Sequence, residues 1–322
     1  MRSILALPIA VVLLVLLSGP AFYFRPPASV PVDFPIRSPQ EIDDYLEGRE
    51  RTVAGLRPEL AKSVQWVNTI DRRPSRFSIV YLHGFSASRR DISPVVEDLA
   101  RDLKANVYFA RLKAHGLENG QAFASVKAMD WYEDAAEALA IGRLIGEKVI
   151  LIGTSTGATL ATILAMDTEV QKSIGGLVLL SPNFGINDFR AKFISGPMGK
   201  HLARFLIGVN RISPPENDAH GKFWTSKYHS QGIVALMNLT NYMSGRSLES
   251  IKVPTLVIYT DKDTVVDVHA TRNLYETVNT KLKKIVNLKE ATRHELTGEA
   301  LAPETVQPVI QAILTVCKEG VN

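Results

Sequence analysis

Cysteine is nearly absent from this sequence, with Cys317 the single one among 322 residues. That excludes an intramolecular disulfide framework and a zinc site built from cysteines. Cys317 lies on the apolar side of the helical pattern VQPVIQAILTVC and reads as a small core residue. Histidine is sparse as well, at seven, and His201, His220 and His229 have separations that make no convincing ligand cluster. No metal and no cofactor are implied. Charge of one sign is also missing: Lys+Arg 37 against Asp+Glu 33 leaves +4, spread along the chain. This excludes a nucleic-acid footprint and leaves a mild attraction to anionic lipid. No internal repeat is visible, and 46% hydrophobic with 22% charged residues excludes disordered and fibrous classes.

Long apolar character is confined to the amino end, MRSILALPIAVVLLVLLSGPAFYF. Residues 4–17 are uncharged and suit a signal-peptide core, yet the run continues through Ala21 to Phe24 and approaches the ~20 residues that span a bilayer. Phe22 and Tyr23 suit the interfacial belt, with Arg25 among the headgroups. Residues 1–24 are expected to form an uncleaved signal anchor, with the folded domain extracytoplasmic. The alternative is cleavage after Ala21 and release as a secreted or periplasmic protein, although Pro20 makes a poor neighbour for the cut. No cysteine follows, so a lipoprotein signal is excluded.

Beyond this segment about 295 residues remain, enough for one large α/β domain. Pro26 to Pro35 is proline-rich and reads as an extended spacer. Ser38-Pro39-Gln40-Glu41 joins an N-cap, a first-turn proline and a capping-box glutamate, predicting a helix to about Arg51. Strand patterns then fall at 63–69, 77–82, 106–111, 148–153, 176–181, 255–260 and 284–288. Helical patterns occupy 93–104, 131–145, 156–166, 270–277 and 304–316. Short continuous apolar strands alternating with helices predict a mostly parallel sheet covered on both faces. The division expected is 25–62 linker and N-terminal helix, 63–183 and 252–322 the two parts of the core, and 184–251 an insert too long for a plain loop. Within the insert, Met198, Leu202, Phe205 and Leu206 share one helical face, and Ile233, Leu236, Met237 and Thr240 another. Such faces either seal the insert onto the core or roof a substrate site; Phe205 and Leu236 are the candidate substrate contacts.

KVILIGTSTGATLATILA, residues 148–165, runs from a buried strand into a helix through Gly153-Thr154-Ser155-Thr156-Gly157. So abrupt a corner needs positive or strained φ, and glycine on both sides permits close approach. The Ser155 hydroxyl then projects above the sheet beside helix-terminal N–H groups, as in a G-x-S-x-G nucleophile elbow. A serine hydroxyl needs a base to take its proton and a third group to hold that base's tautomer. Asp261 and Asp263 follow the strand VPTLVIYT at its carboxyl end, and His294 lies just beyond the next strand, giving the order serine, acid, histidine.

From about residue 63 to 317 the chain resembles the α/β-hydrolase fold, in the carboxylesterase, monoacylglycerol-lipase and lysophospholipase-like branch. The matching motifs are YLHGFSAS at 81–88, GTSTG at 153–157, VPTLVIYTDKDTVV at 253–266 and RHEL at 293–296. The resemblance implies an inserted helical cap and the triad Ser155, Asp263 and His294, with Asp261 the fallback acid. It implies that the amides of Phe85 and Thr156 bind the oxyanion, and that His83 and His115 brace loops. A serine nucleophile separates the chain from dehalogenases and epoxide hydrolases of this fold, and HGGG, the hormone-sensitive-lipase signature, is absent. The expectation is a serine hydrolase cleaving short- to medium-chain acyl esters or monoacylglycerol-like lipids through an acyl-enzyme. The alternatives are a thioesterase, amidase or peptidase with the same triad, or a catalytically silent binding protein.

Overall fold

The computed structural model describes residues 24–30, 34–188, 194 and 199–319. The expected signal anchor therefore lies outside the described residues except for Phe24. Among the described residues no helix is long and apolar enough to cross a membrane.

In chain order the elements are α1 (Ile42–Glu50), β1 (Ser63–Gln65), β2 (Ser75–Leu82), α2 (Val95–Leu103), β3 (Asn106–Phe109), α3 (Ala128–Ile145), β4 (Gly146–Thr154), α4 (Thr156–Ala165), α5 (Thr168–Gln171) and β5 (Ile174–Leu180). After them come α6 (Gly199–Leu206), β6 (Asn210–Ile212), α7 (Asp218–Phe223), β7 (Lys227–His229), α8 (Gln231–Met243), β8 (Thr255–Tyr259), α9 (Val268–Thr277), β9 (Lys283–Asn287) and α10 (Val306–Glu319). The sheet is seven-stranded among the described residues, in the order β1-β3-β2-β4-β5-β8-β9. Only β1 runs antiparallel to its neighbour. The strands are apolar on both faces because both are covered. Val80, Leu82, Val149 and Leu151 belong to the core shared with α1, α3 and α4, whereas Ile79, Tyr81, Ile150 and Ile152 pack with α2 and α10 on the other side.

The insert between β5 and β8 is a cap of α6, α7 and α8 with a two-stranded antiparallel ribbon, β6 with β7, that the sequence patterns do not announce. The ribbon reaches the core at Gly120, where a Cβ would stand 2.0 Å from the Lys227 carbonyl oxygen and where His229 N–H donates at 3.2 Å. Helix α8 presses onto the core so closely that a Cβ at its Gly232 would meet the Phe123 ring at 2.6 Å and the Phe85 ring at 3.3 Å.

The amino-terminal region departs from the expected free spacer. Phe24 stacks edge-on against Tyr242 and packs against Tyr132, Val30 donates its amide to Asp167 at 2.8 Å, and Val30 and Ile36 are buried in the core. Apolar side chains in an extended proline-rich segment gain more from that burial than from solvent. The expected capping box is replaced by a 3-10 turn, Pro39–Glu41, in which Ser38 Oγ donates directly to Glu41 at 2.6 Å. A buried ionic network fastens α1 and the segment after it to the core. Lys62 Nζ, its side chain 4% exposed, bonds Asp134 at 2.9 Å and Glu137 at 2.5 Å; Tyr45 donates to Glu137 at 2.9 Å. Glu50 grips Arg111 through two bonds of 2.7 and 2.6 Å and accepts the Lys62 amide at 2.9 Å.

Candidate active site

Ser155 stands between β4 and α4 with φ 52 and ψ −112, a backbone conformation that an L residue adopts only under constraint. Two glycines make the constraint tolerable. A Cβ at Gly153 would lie 2.5 Å from the amide nitrogen of Ala158, and one at Gly157 would lie 2.0 Å from the Leu82 carbonyl oxygen. The strand end, the turn and the first helical turn thus occupy a space in which no side chain fits.

The corner directs Ser155 Oγ at His294 Nε2, 3.0 Å away. His294 Nδ1 is 2.7 Å from Asp263 Oδ2, and the other Asp263 oxygen accepts the amides of Val265 at 2.8 Å and Val266 at 3.0 Å. Ser181 Oγ donates to the His294 carbonyl at 2.9 Å and so holds the histidine loop against the end of β5. Burial pushes the His294 pKa down, but the hydrogen bond and charge of Asp263 outweigh it and the net direction is upward. Burial pushes Asp263 up, and there His294 with the Val266 and Val265 amides prevails, holding the carboxylate below its usual range. Asp261 is elsewhere: it pairs with Arg272, accepts from Asn287 and is about half exposed. Of the two acids at the end of β8, Asp263 is the one that meets His294.

The loop after β2 lies against the elbow. A Cβ built on Gly84 would be 3.6 Å from Ser155 Cβ, so the two backbones face each other closely. Among the described residues the amides of Phe85 and Thr156 make no hydrogen bond within the protein; Thr156 opens α4, where first-turn amides lack helical partners. His83 explains how Phe85 is aimed. Its Nε2 accepts the Leu112 amide at 3.1 Å, so Nδ1 carries the proton and donates to the Gly84 carbonyl at 2.8 Å. In a trans peptide the Phe85 N–H then points the opposite way. His115 accepts the Ser86 amide at 3.0 Å, and the Ser86 carbonyl accepts from Thr225 of the cap at 2.7 Å. Burial pushes His83 down to about 4 and His115 well below its usual value, leaving both rings neutral braces.

Two cavities flank Phe85. A small one of about 40 Å³ lies beside Ser155, His294, Asp91 and Trp224. The larger, about 510 Å³, is lined mostly by apolar groups including Phe85, Leu206, Ile233, Leu236, Met237 and Val265. Leu236 lines this larger cavity, whereas Phe205 is 85% exposed and outside its lining. The buried face of α6 is instead made of Gly199 and Ala203, small enough for α6 to lie close to α8; a Cβ at Gly199 would be 3.1 Å from Val234 Cγ1. Among the described residues no group of three or more His, Cys, Asp or Glu side chains is arranged to hold a metal. Two buried residues beside the site were given no role by the sequence, Tyr81 at the head of the YLHGFSAS motif and Asp91 beyond it, and they are hydrogen-bonded to each other.

A mostly parallel sheet with a serine at the β4–α4 elbow, an acid after β8 and a histidine after β9 defines an α/β hydrolase. The profile of the family described as serine aminopeptidase, S33, matches residues 73–300, well over half of the chain, and the chain belongs to that family. Solved structures agree in fold. A lipolytic enzyme from the metagenome-derived LipS and LipT pair superposes with TM-score 0.63 at 17% identity, covering 82% of this chain and 99% of that one. The monoacylglycerol lipase of Paleococcus ferrophilus gives 0.59 at 18%, covering 81% and 99%. A soluble variant of the monoglyceride lipase of Saccharomyces cerevisiae gives 0.60 at 14%, covering 81% and 91%. No curated protein matches the chain.

Proposed function

We propose that this chain is a serine hydrolase of carboxylic esters with a medium-length acyl group, working through an acyl-enzyme. The observation that carries the reading is the chain Ser155 Oγ to His294 Nε2 at 3.0 Å and His294 Nδ1 to Asp263 at 2.7 Å, with the Phe85 and Thr156 amides left without a partner in the protein. Ser155 Oγ attacks the ester carbon while its proton passes to His294 Nε2, and Asp263 stabilises the imidazolium. The negative charge on the former carbonyl oxygen is accepted by the Phe85 and Thr156 amides, each worth on the order of 3 kcal/mol in such a role. Collapse breaks the bond to the leaving alcohol, which takes its proton from His294. Water, activated by the same ring, then releases the acid. The apolar cavity of about 510 Å³ beyond Phe85 suits the acyl chain.

The family's description raises an aminopeptidase reading. Such a substrate brings a free ammonium that needs an unengaged carboxylate near Ser155. Asp263 is committed to His294 and Asp91 to Tyr81 and Gly84, while Glu295 gives one oxygen to Arg293. The preference for esters therefore rests on the apolar cavity beyond Phe85. The apolar run at 4–17 supports membrane attachment with the domain extracytoplasmic, where lipid esters are at hand. The test is labelling by a fluorophosphonate probe, with Ser155→Ala as control, followed by kcat/KM for esters from acetyl to dodecanoyl. We expect labelling that Ser155→Ala abolishes, and rates that climb from acetyl to the medium chains and then level or fall. Intact protein that never labels, or faster cleavage of aminoacyl amides than of any ester, overturns the reading.

A further inference from the structure

Asp91 and Tyr81 form a buried polar link between the two halves of the proposed oxyanion site. Tyr81 is fully buried at the end of β2 and Asp91 is 6% exposed, in the loop between Gly84 and α2. The Tyr81 hydroxyl donates to Asp91 Oδ1 and takes a hydrogen bond from Thr154 Oγ1 at 3.0 Å. Thr154 is the residue before the nucleophile. The second Asp91 oxygen, Oδ2, accepts the Gly84 amide at 3.1 Å, one residue before Phe85. A continuous path therefore runs Thr154, Tyr81, Asp91, Gly84, from the elbow to the oxyanion loop. The same stretch also meets the histidine loop. A Cβ at Gly298 would lie 2.3 Å from the Asp91 carbonyl oxygen, and Glu299 N–H donates to the Ser93 carbonyl at 2.9 Å.

We propose that the Asp91 carboxyl, bridging the Gly84 amide and the Tyr81 hydroxyl, is a positioning residue that keeps the Phe85 amide in register with Ser155. The inference rests on the roles assigned above to Ser155 and Phe85. His83 fixes the carbonyl edge of the Gly84–Phe85 peptide, and Asp91 fixes the peptide before it. With one of the two released, the Gly84 backbone is free to rotate about its own φ, which glycine allows in either sign. The Phe85 donor then drifts relative to an oxyanion whose distance from Ser155 is set by covalent bonds. Ground-state binding suffers little, because that charge exists only in the transition state.

Asp91→Ala should thus lower kcat by roughly 100-fold, the cost of misplacing a reacting group by about 1 Å, while KM stays nearly constant. Asp91→Asn should recover most of the rate. Its Oδ1 accepts the Gly84 amide and its Nδ2 donates to the Tyr81 oxygen, which then donates to Thr154. The end point of fluorophosphonate labelling counts competent Ser155 sites, so kcat is expressed per labelled site. Labelling to the wild-type end point with the low kcat, and rescue by Asn, supports the proposal. An Asp91→Ala kcat per site equal to wild type, a change carried by KM instead, or an Asn variant as slow as Ala overturns it. Should Asp91→Ala not fold, Tyr81→Phe decides: a fall of about tenfold in kcat at constant KM supports the link, and an unchanged kcat refutes it. If wild-type protein neither labels nor cleaves esters, the functional reading fails; if it does both and these variants match it, only this inference fails.

Discussion

Adding one methyl group at Gly157 would place a Cβ 2.0 Å from the Leu82 carbonyl oxygen and 2.7 Å from that of His83. Ordinary contacts begin at 3.4 Å, and neither partner is a flexible side chain that could swing away. Relief requires the first turn of α4 and the strand-to-loop junction 82–84 to part by about 1 Å or more, since close-packed interiors offer no slack. The Thr156 amide lies on the first piece and the Phe85 amide directly follows the second, the two donors proposed above for the oxyanion. A displacement of that size costs about two orders of magnitude in rate, and overpacking costs about 1–3 kcal/mol in stability, a melting-point loss of several degrees. The assay is kcat per fluorophosphonate-labelled site on a soluble ester, beside a thermal melt. Gly176→Ala is the control, because nothing lies within 4 Å of the Cβ it would add. A Gly157→Ala enzyme with wild-type kcat per site would refute the claim that this contact sets the oxyanion geometry.

Asp263→Asn should lower kcat by about three to four orders of magnitude, as an amide favours the wrong His294 tautomer and gives the imidazolium no charge; Asp261→Asn, which breaks a surface pair with Arg272, should change kcat little, and the opposite ranking in steady-state assays would reassign the acid. Only neutral His294 accepts the serine proton, so kcat/KM should rise with pH through a transition above the 6.5 of an ordinary imidazole; a midpoint below it in a pH–rate profile would contradict the upward pull of Asp263. Leu236→Ala removes three carbon groups from the wall of the large cavity, each worth up to ~0.8 kcal/mol to a chain in contact with it, so the octanoyl-to-acetyl ratio of kcat/KM should fall about tenfold or more. Phe205→Ala should leave that ratio unaltered, since its ring faces solvent.

The alternation of β2 to β5 with their helices was legible because each strand contains a short apolar run, while α2 carries an apolar stripe and α4 is buried on every side. The elbow was legible for a steric reason, the two glycines flanking Ser155. The cap was not. Helix α6 is eight residues long, and its large apolar residues, Leu202, Phe205 and Leu206, suggest one buried face. Packing selected the small residues Gly199 and Ala203 instead, a choice made by α8 and invisible in the sequence of α6 alone. The ribbon of β6 and β7 is three residues per strand, too short for any period to show. The pairing of Tyr81 with Asp91 left no trace either, because it depends on how the loop after Gly84 folds back over the sheet. Phe24 was read as the end of the signal anchor and Val30 as part of the spacer, since a hydrophobic residue in an extended segment does not reveal what it will lie against.

The ionic network beneath α1 sets the minimum length of an independently folding piece. The family profile begins at residue 73, after α1 and after Lys62. A chain trimmed to that point would lose Lys62 and Glu50 while keeping Asp134, Glu137 and Arg111, which are built to meet them. Stripping one partner from a buried pair typically costs about 3–5 kcal/mol, against a total stability of roughly 5–15 kcal/mol. It would also uncover the surface now shielded by Ile36, Ile42 and Leu46. The segment ahead of the recognisable hydrolase therefore belongs to its foundation, and a truncation that respects the domain must begin before it.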